Sequence, residues 1–173
     1  MHLHEIEQDS KVFIEANIFV YHFSEGSGFN KSCTTFLSRI ETHEIHGITS
    51  TAVVVEATHR LMMVEASSVL DEEIKNLPKY LKKHPHVVKQ MSNHLAIPGK
   101  IEELDVEILQ ITPKIIKESQ AVKTKYGFLS NDSLTVRFME ELGVSMLASN
   151  DLDFRRVEWL KLYVPSVDDV PSP

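Results

Sequence analysis

Apolar residues fall into two patterns along this chain: short unbroken runs, and longer stretches in which they return every three or four positions. A short apolar run rich in β-branched and aromatic residues reads as a buried strand, whereas the three-to-four spacing marks one face of a helix. The runs at Lys11 to Ile14, Ile45 to Thr49, Val106 to Ile111, Val144 to Ala148 and Leu160 to Val164 are therefore predicted strands.

Helices are predicted between them. Asn17 can start one that runs to about Phe23, and a second reaches about Glu41 with Phe36, Leu37 and Ile40 on one face. Ser50 or Thr51 can cap a third, TAVVVEATHRLMMVEA, whose three valines suggest a strand but whose length exceeds one. Pro113 suits a first helical position and Gly127 a helix end, while Asn131 is placed to cap DSLTVRFMEEL ahead of Gly143. From Val69 to about His94 the pattern is helical but interrupted by Pro78 and Pro85, a helical insertion.

Strands alternating with helices predict an α/β chain: a three-layer α/β/α fold around a central parallel sheet of four to five strands. The 173 residues fit one domain, here 11–165, with 1–10 as an N-terminal extension and 166–173, ending in VDDVPSP, as a flexible tail.

Charge and composition then narrow the chemistry. A net charge of −7 argues against a nucleic-acid binder that relies on Lys and Arg alone, yet clustered acids can hold Mg²⁺ and present its charge to a phosphate. The single Cys33 excludes an internal disulfide and a cysteine-based zinc site, and fits a reducing compartment. MHLHEIEQDSK does not read as a signal peptide, and no apolar run is long enough to span a membrane, so a cytoplasmic location is expected. The histidine pairs His2 and His4, and His84 and His86, lack the helical spacing of a zinc site. The lysines of KYLKKH read first as a solvated face; if used, they would steer RNA.

In a parallel sheet, ligands bind beyond the carboxyl ends of the strands. Glu15 follows the first predicted strand, Asp151 and Asp153 follow the fourth, and Glu56 and Asp132 lie on the opening turns of helices that can face the same edge. Each has a plain structural explanation: Glu56 can pair with Arg60 four residues on, Asp132 can complement a helix dipole, and Asp151 and Asp153 can make a turn. Glu15 resists such an explanation best, since it sits in the apolar run VFIEANIFVYHF without a neighbouring base. Four segments delivering carboxylates to one rim call for a cation, and suit metal-assisted phosphodiester hydrolysis.

FIEANIFVYHF, TSTAVVVEATHRL, YGFLSNDSLTV and LASNDLDFRRVEWLKLYVP, in that order, resemble the PIN-domain nucleases, and among them the VapC-type ribonuclease toxins of toxin-antitoxin pairs. The resemblance spans about Val12 to Pro165. It implies a PIN-like fold and an endoribonuclease that hydrolyses RNA with a water activated by Mg²⁺ or Mn²⁺. The acids that match the family's are Glu15, Glu56, Asp132 and Asp151, with Asp153 as a further metal ligand and Asn17, Ser149 and Asn150 in support. It further implies products with a 5′-phosphate and a 3′-hydroxyl, a homodimer, and a cognate antitoxin whose basic side chain enters the acidic pocket. The family usually has aspartate where this chain has Glu15, which leaves a catalytically weak domain that binds RNA or protein as the alternative.

Overall fold

Strand β1, Lys11–Ile14, is apolar after its first residue because both of its faces are covered, and Val12, Phe13 and Ile14 are fully buried. The computed structural model describes residues 1–24, 26–70 and 74–167. After β1 come α1 (Ala16–Phe23), α2 (Asn30–Glu41), β2 (His46–Ser50) and α3 (Thr51–Val69). The helical insertion follows as α4 (Leu77–Lys83), α5 (Pro85–Gln90) and α6 (Ile97–Glu103), with a 3-10 turn at Asn93–Ala96. The chain then continues through β3 (Glu107–Leu109), α7 (Pro113–Tyr126), α8 (Ser130–Leu142) and β4 (Met146–Ala148). A 3-10 turn at Leu152–Arg156 leads into β5 (Lys161–Tyr163).

All five strands are parallel, in the order β3-β2-β1-β4-β5. The first crossover from β1 places β2 on one side, and β4 later arrives on the other. The strand order therefore reverses between β1 and β4, where a parallel sheet opens a crevice at its carboxyl edge. Ile14 lies beside Ala148 in the register, so Glu15 and Ser149 leave the sheet side by side.

Packing explains the local sequence. Gly47 faces Val12 in the β1–β2 ladder, and a Cβ there would come within 2.8 Å of Ile40, so glycine lets α2 close onto the sheet. Gly127 and Gly143 take left-handed backbone at the ends of α7 and α8, as predicted for helix-stopping glycines. Arg137 of α8 ties these two helices together by donating to Glu118 of α7, and donates also to Glu141 one turn on along its own helix.

Several elements differ from the sequence-based expectation. Glu15, not Asn17, caps α1, its carboxylate accepting the backbone N–H of Asn17 at 2.9 Å. Asn131 does not cap α8; Leu129 flanks that helix, and the Asn131 side chain turns to another element. The insertion continues past His94 through α6, and strands three to five are shorter than predicted. Leu3 and Ile6 are buried in the main core, and the backbone of Leu3 pairs with Val164 beyond β5. Of the tail expected to be flexible, residues 168–173 lie outside the described residues.

Candidate functional site

The crevice between β1 and β4 is lined by Glu15, Asn17, Tyr21, Glu56, His59, Arg60, Leu129, Asn131, Asp132, Asn150 and Asp151, and has a volume of about 560 Å³. Four segments meet there: the end of β1 with α1, the first half of α3, the start of α8, and the loop after β4.

Asn17 holds the first and last of these together. Its side-chain N–H group donates to Glu15 Oε2 and, at 2.9 Å, to Ser149 Oγ, while its Oδ1 accepts the backbone N–H of Asn150 at 3.0 Å. Ser149 is fully buried and passes the connection on, its Oγ accepting the N–H of Asp151 at 3.1 Å. Asn150 donates to the Tyr21 hydroxyl at 3.1 Å. Tyr21 lies four residues after Asn17, one helical turn along the same face.

Glu15 is 8% exposed, with both Asn17 bonds arriving at one oxygen, Oε2. Burial pushes its carboxyl up to about 7; the Asn17 N–H holds part of that push back, and the negative charge of Glu56 adds to it. Asp132, half-buried, is likewise raised by burial first and then by the charge of Asp151, with Glu56 and Asp153 adding to the effect. These carboxylates therefore disfavour one another's ionisation, the electrostatic condition under which a cation binds well.

Glu56 is held by Asn131, whose side-chain N–H donates to its Oε2 at 2.7 Å. The expected pairing with Arg60 is present but loose, at 3.7 Å. Glu56 thus makes the surface ion pair of the plain explanation and lines the cavity as well. Asp151 accepts the N–H of Asp153 at 2.9 Å. Asp153 is not among the lining side chains; it pairs with Arg156 at 2.8 Å.

Four of the five expected acids, with Asn17 and Asn150, thus share one cavity, and Ser149 braces it from behind. Among the described residues, no group of three or more His, Cys, Asp or Glu side chains is drawn together tightly enough to hold a metal ion. The acids share a cavity and a field without closing around one point. Their chemistry still fits a hard divalent cation, since carboxylate and amide oxygens are the donors such ions take.

Tyr21, His59, Arg60, Leu129 and Asn131 line the cavity without having been expected there. Spacing carried a signal for three of them: Tyr21 follows Asn17 by four residues, and His59 and Arg60 follow Glu56 by three and four, so each shares the helix face of an expected site residue. Leu129, 79% exposed at the rim, carried none.

Comparison with known proteins bears on this geometry. The chain is similar to ribonuclease VapC2 of Methanocaldococcus jannaschii, 26% identical over 156 residues that cover 90% of this chain and 94% of that protein. In fold it is similar to VapBC2 of Rickettsia felis, solved bound to a DNA fragment from its promoter, with a TM-score of 0.56 at 15% identity over 90% of this chain and 99% of that one. VapC20 of Mycobacterium tuberculosis, a toxin that cleaves the sarcin-ricin loop, also gives a TM-score of 0.56, at 12% identity over 85% of this chain and 95% of that one. The PIN domain model matches residues 12–160, which take in β1 except its first residue and all of β2, β3 and β4, and end just before β5. With most of its length matched and its parallel sheet shared with the VapC structures, the chain belongs to the PIN domain family.

Proposed function

We propose that this protein is an endoribonuclease of the toxin type, hydrolysing RNA phosphodiester bonds with a divalent cation, Mg²⁺ or Mn²⁺. The observation that carries the reading is the gathering of Glu15, Glu56, Asp132 and Asp151 from four segments into one cavity. Those four would hold the cation, with Asp153 close behind. A cation held there would supply Lewis-acid chemistry, polarising the phosphate, making a water more acidic and offsetting charge on the leaving oxygen.

The chain's own residues set that chemistry up. Asn17 fixes the Glu15 carboxylate and locks the β1 and β4 edges to each other through Ser149 and Asn150. Asn131 orients Glu56 from the start of α8. Arg60, held only loosely by Glu56, can turn towards an RNA phosphate.

An antitoxin partner is part of this reading. An acidic cavity with exposed Leu129 on its rim, and exposed Leu152 beside Asp151, suits a protein that offers a basic side chain among apolar ones. The similarity to VapBC2 and to a toxin-antitoxin complex from Klebsiella pneumoniae, with a TM-score of 0.51 and 12% identity over 92% of this chain and 99% of that one, agrees with it. A homodimer and a cytoplasmic location complete the proposal; among the described residues no helix is long and apolar enough to cross a membrane.

One observation favours a second reading, a weak domain that binds without cutting. Glutamate stands at position 15 where the resemblance expects aspartate, and its burial disfavours the charged form that a metal ligand needs. The deciding experiment incubates the protein with total RNA and Mn²⁺, with and without chelator, beside Asp132→Asn. Cleavage is expected only without chelator, and at least about 100-fold slower in the variant, since even outer partners of a metal site contribute 10- to 100-fold. Cleavage that persists equally in chelator and in the variant overturns the nuclease reading.

A further inference from the structure

Residues 74–101 contain six lysines and no Asp, Glu or Arg. The net charge of the chain is −7, so the remaining residues carry −13, with 12 Lys and Arg against 25 Asp and Glu. One stretch, comprising α4, α5, the 3-10 turn and α6 as far as Ile101, thus carries a local charge of +6 in an acidic chain, bounded in sequence by Asp71, Glu72 and Glu73 before it and Glu102 and Glu103 after it.

The first part of this stretch, α4 and α5, has its own foundation, while Ile97 and Ile101 of α6 belong to the main core. Leu81, Val87 and Met91 form a small core with Ala66 of α3, separate from the main one, and Met62, Met63, Leu77 and Tyr80 pack around it. Lys79, Lys82 and Lys83 stand at i, i+3 and i+4 on α4, on the face opposite Leu77 and Leu81, and all six lysines are exposed. None of the six forms an ion pair with a described residue.

Glu65, the acid that α3 turns towards the lobe, does not neutralise these lysines. Its carboxylate accepts the backbone N–H groups of Ser92, Asn93 and His94 at 2.8, 2.9 and 3.0 Å, and His94 Nδ1 at 2.7 Å. Among the lysines, Tyr80 and His84 stack at 3.9 Å between ring centroids. Exposed cations interleaved with aromatic rings suit a single-stranded polyanion, which offers both phosphates and base faces.

The lobe also lies in the right place. From Glu56 in the cavity to Met63, which packs against the lobe's core, is seven residues of α3, about two turns along one face and about 10 Å at the helical rise. Arg60 stands between them and lines the cavity. A strand of about 4 to 16 nucleotides, the footprint of common single-strand binders, spans that distance.

We infer that residues 74–101 are a docking platform for single-stranded RNA, gripping phosphates that flank the bond placed in the acidic cavity. The inference deepens the nuclease reading and rests on it for the strand's destination. The test binds a labelled 12-nucleotide single-stranded RNA to the protein in chelator across a series of KCl concentrations. It compares the unaltered chain with the triple variants Lys79→Ala, Lys82→Ala, Lys83→Ala and Lys79→Arg, Lys82→Arg, Lys83→Arg.

The alanine variant is expected to bind at least about 10-fold more weakly, with the slope of log K against log salt reduced by about 2, three contacts at about 0.7 each. The arginine variant restores both. Unchanged affinity and slope in the alanine variant overturn the inference. So does lysine-dependent co-sedimentation with phosphatidylserine vesicles in the absence of RNA binding, which would make the lobe a membrane surface. Binding is read without metal, so a protein that cuts no RNA refutes the nuclease reading and leaves the lobe decided by the titration alone.

Discussion

Helix α3 sends Glu56 and Arg60 into the acidic cavity from its first half, and Met62, Met63 and Ala66 into the core of the basic lobe from its second. The two regions are built differently. The cavity is a set of polar side chains cross-bonded between strand ends and backed by the main core; the lobe is a small apolar cluster under a lysine-covered surface. The cavity can therefore fix atoms for chemistry, whereas the lobe can supply affinity without geometric precision. A change in one should leave the measured property of the other intact.

Asn17→Ala gives the sharpest contrast. It removes the side chain that holds Glu15, Ser149 and the Asn150 backbone together, leaving buried polar groups unsatisfied. The expected cost is about 2 kcal/mol of stability, which for a chain of this size lowers Tm by about 4–8 °C. Cleavage is expected to fall about 10- to 100-fold, as for outer partners of a metal site. RNA affinity in chelator should stay within about twofold if the lobe supplies it. A parallel loss of affinity would show that the two regions are not separable.

Glu15→Asp changes the cavity in the opposite direction. A shorter carboxylate at the cap of α1 retains the bond to the Asn17 N–H, aspartate being among the preferred cap residues. Its position moves by roughly 1 Å, a displacement that can change a rate by up to about 100-fold. We expect faster metal-dependent cleavage, by about 10-fold, with an unchanged salt slope of binding. Equal or slower turnover would remove Glu15 from the place given it here.

How far the chain disclosed these regions depends on the range of the interactions. The alternation of strands and helices follows from periodicity within each segment, and so the five strands and their parallel arrangement were legible. Glu15 stood out because its apolar neighbours forced burial, which is again local. Asn131 beside Asp132 looks like a cap, yet it bonds to Glu56 across 75 positions, and the Asn17 bonds to Ser149 and Asn150 cross 132 and 133. Leu3 and Ile6 lie among polar residues and carry no periodic signal, although both are buried. Long-range polar pairing leaves no mark on neighbouring residues, and that is where the sequence falls silent.

Glu65 is the clearest case, an ordinary helical acid in the sequence and the anchor of the lobe in the fold. Burial works against its charge, but the N–H groups of Asn93, His94 and Ser92 and the His94 side chain outweigh it and hold the carboxyl down to about 2. A depressed carboxyl stabilises the fold above its unfolded value of 4.5 and loses that contribution as pH falls towards about 2. Glu65→Gln keeps the volume but replaces one of the two accepting oxygens with an NH2 donor, so it loses two of the four bonds as well as the charge, at a cost of about 2 kcal/mol near neutral pH. Hydrogen exchange is expected to quicken in residues 85–103 and not in α8 or β4. The stability difference from the unaltered protein should shrink between pH 4.5 and 2.5, because protonation takes the same charge from the original side chain. A difference that persists undiminished at pH 2.5 would mean that Glu65 holds the lobe by its shape, with its charge contributing little.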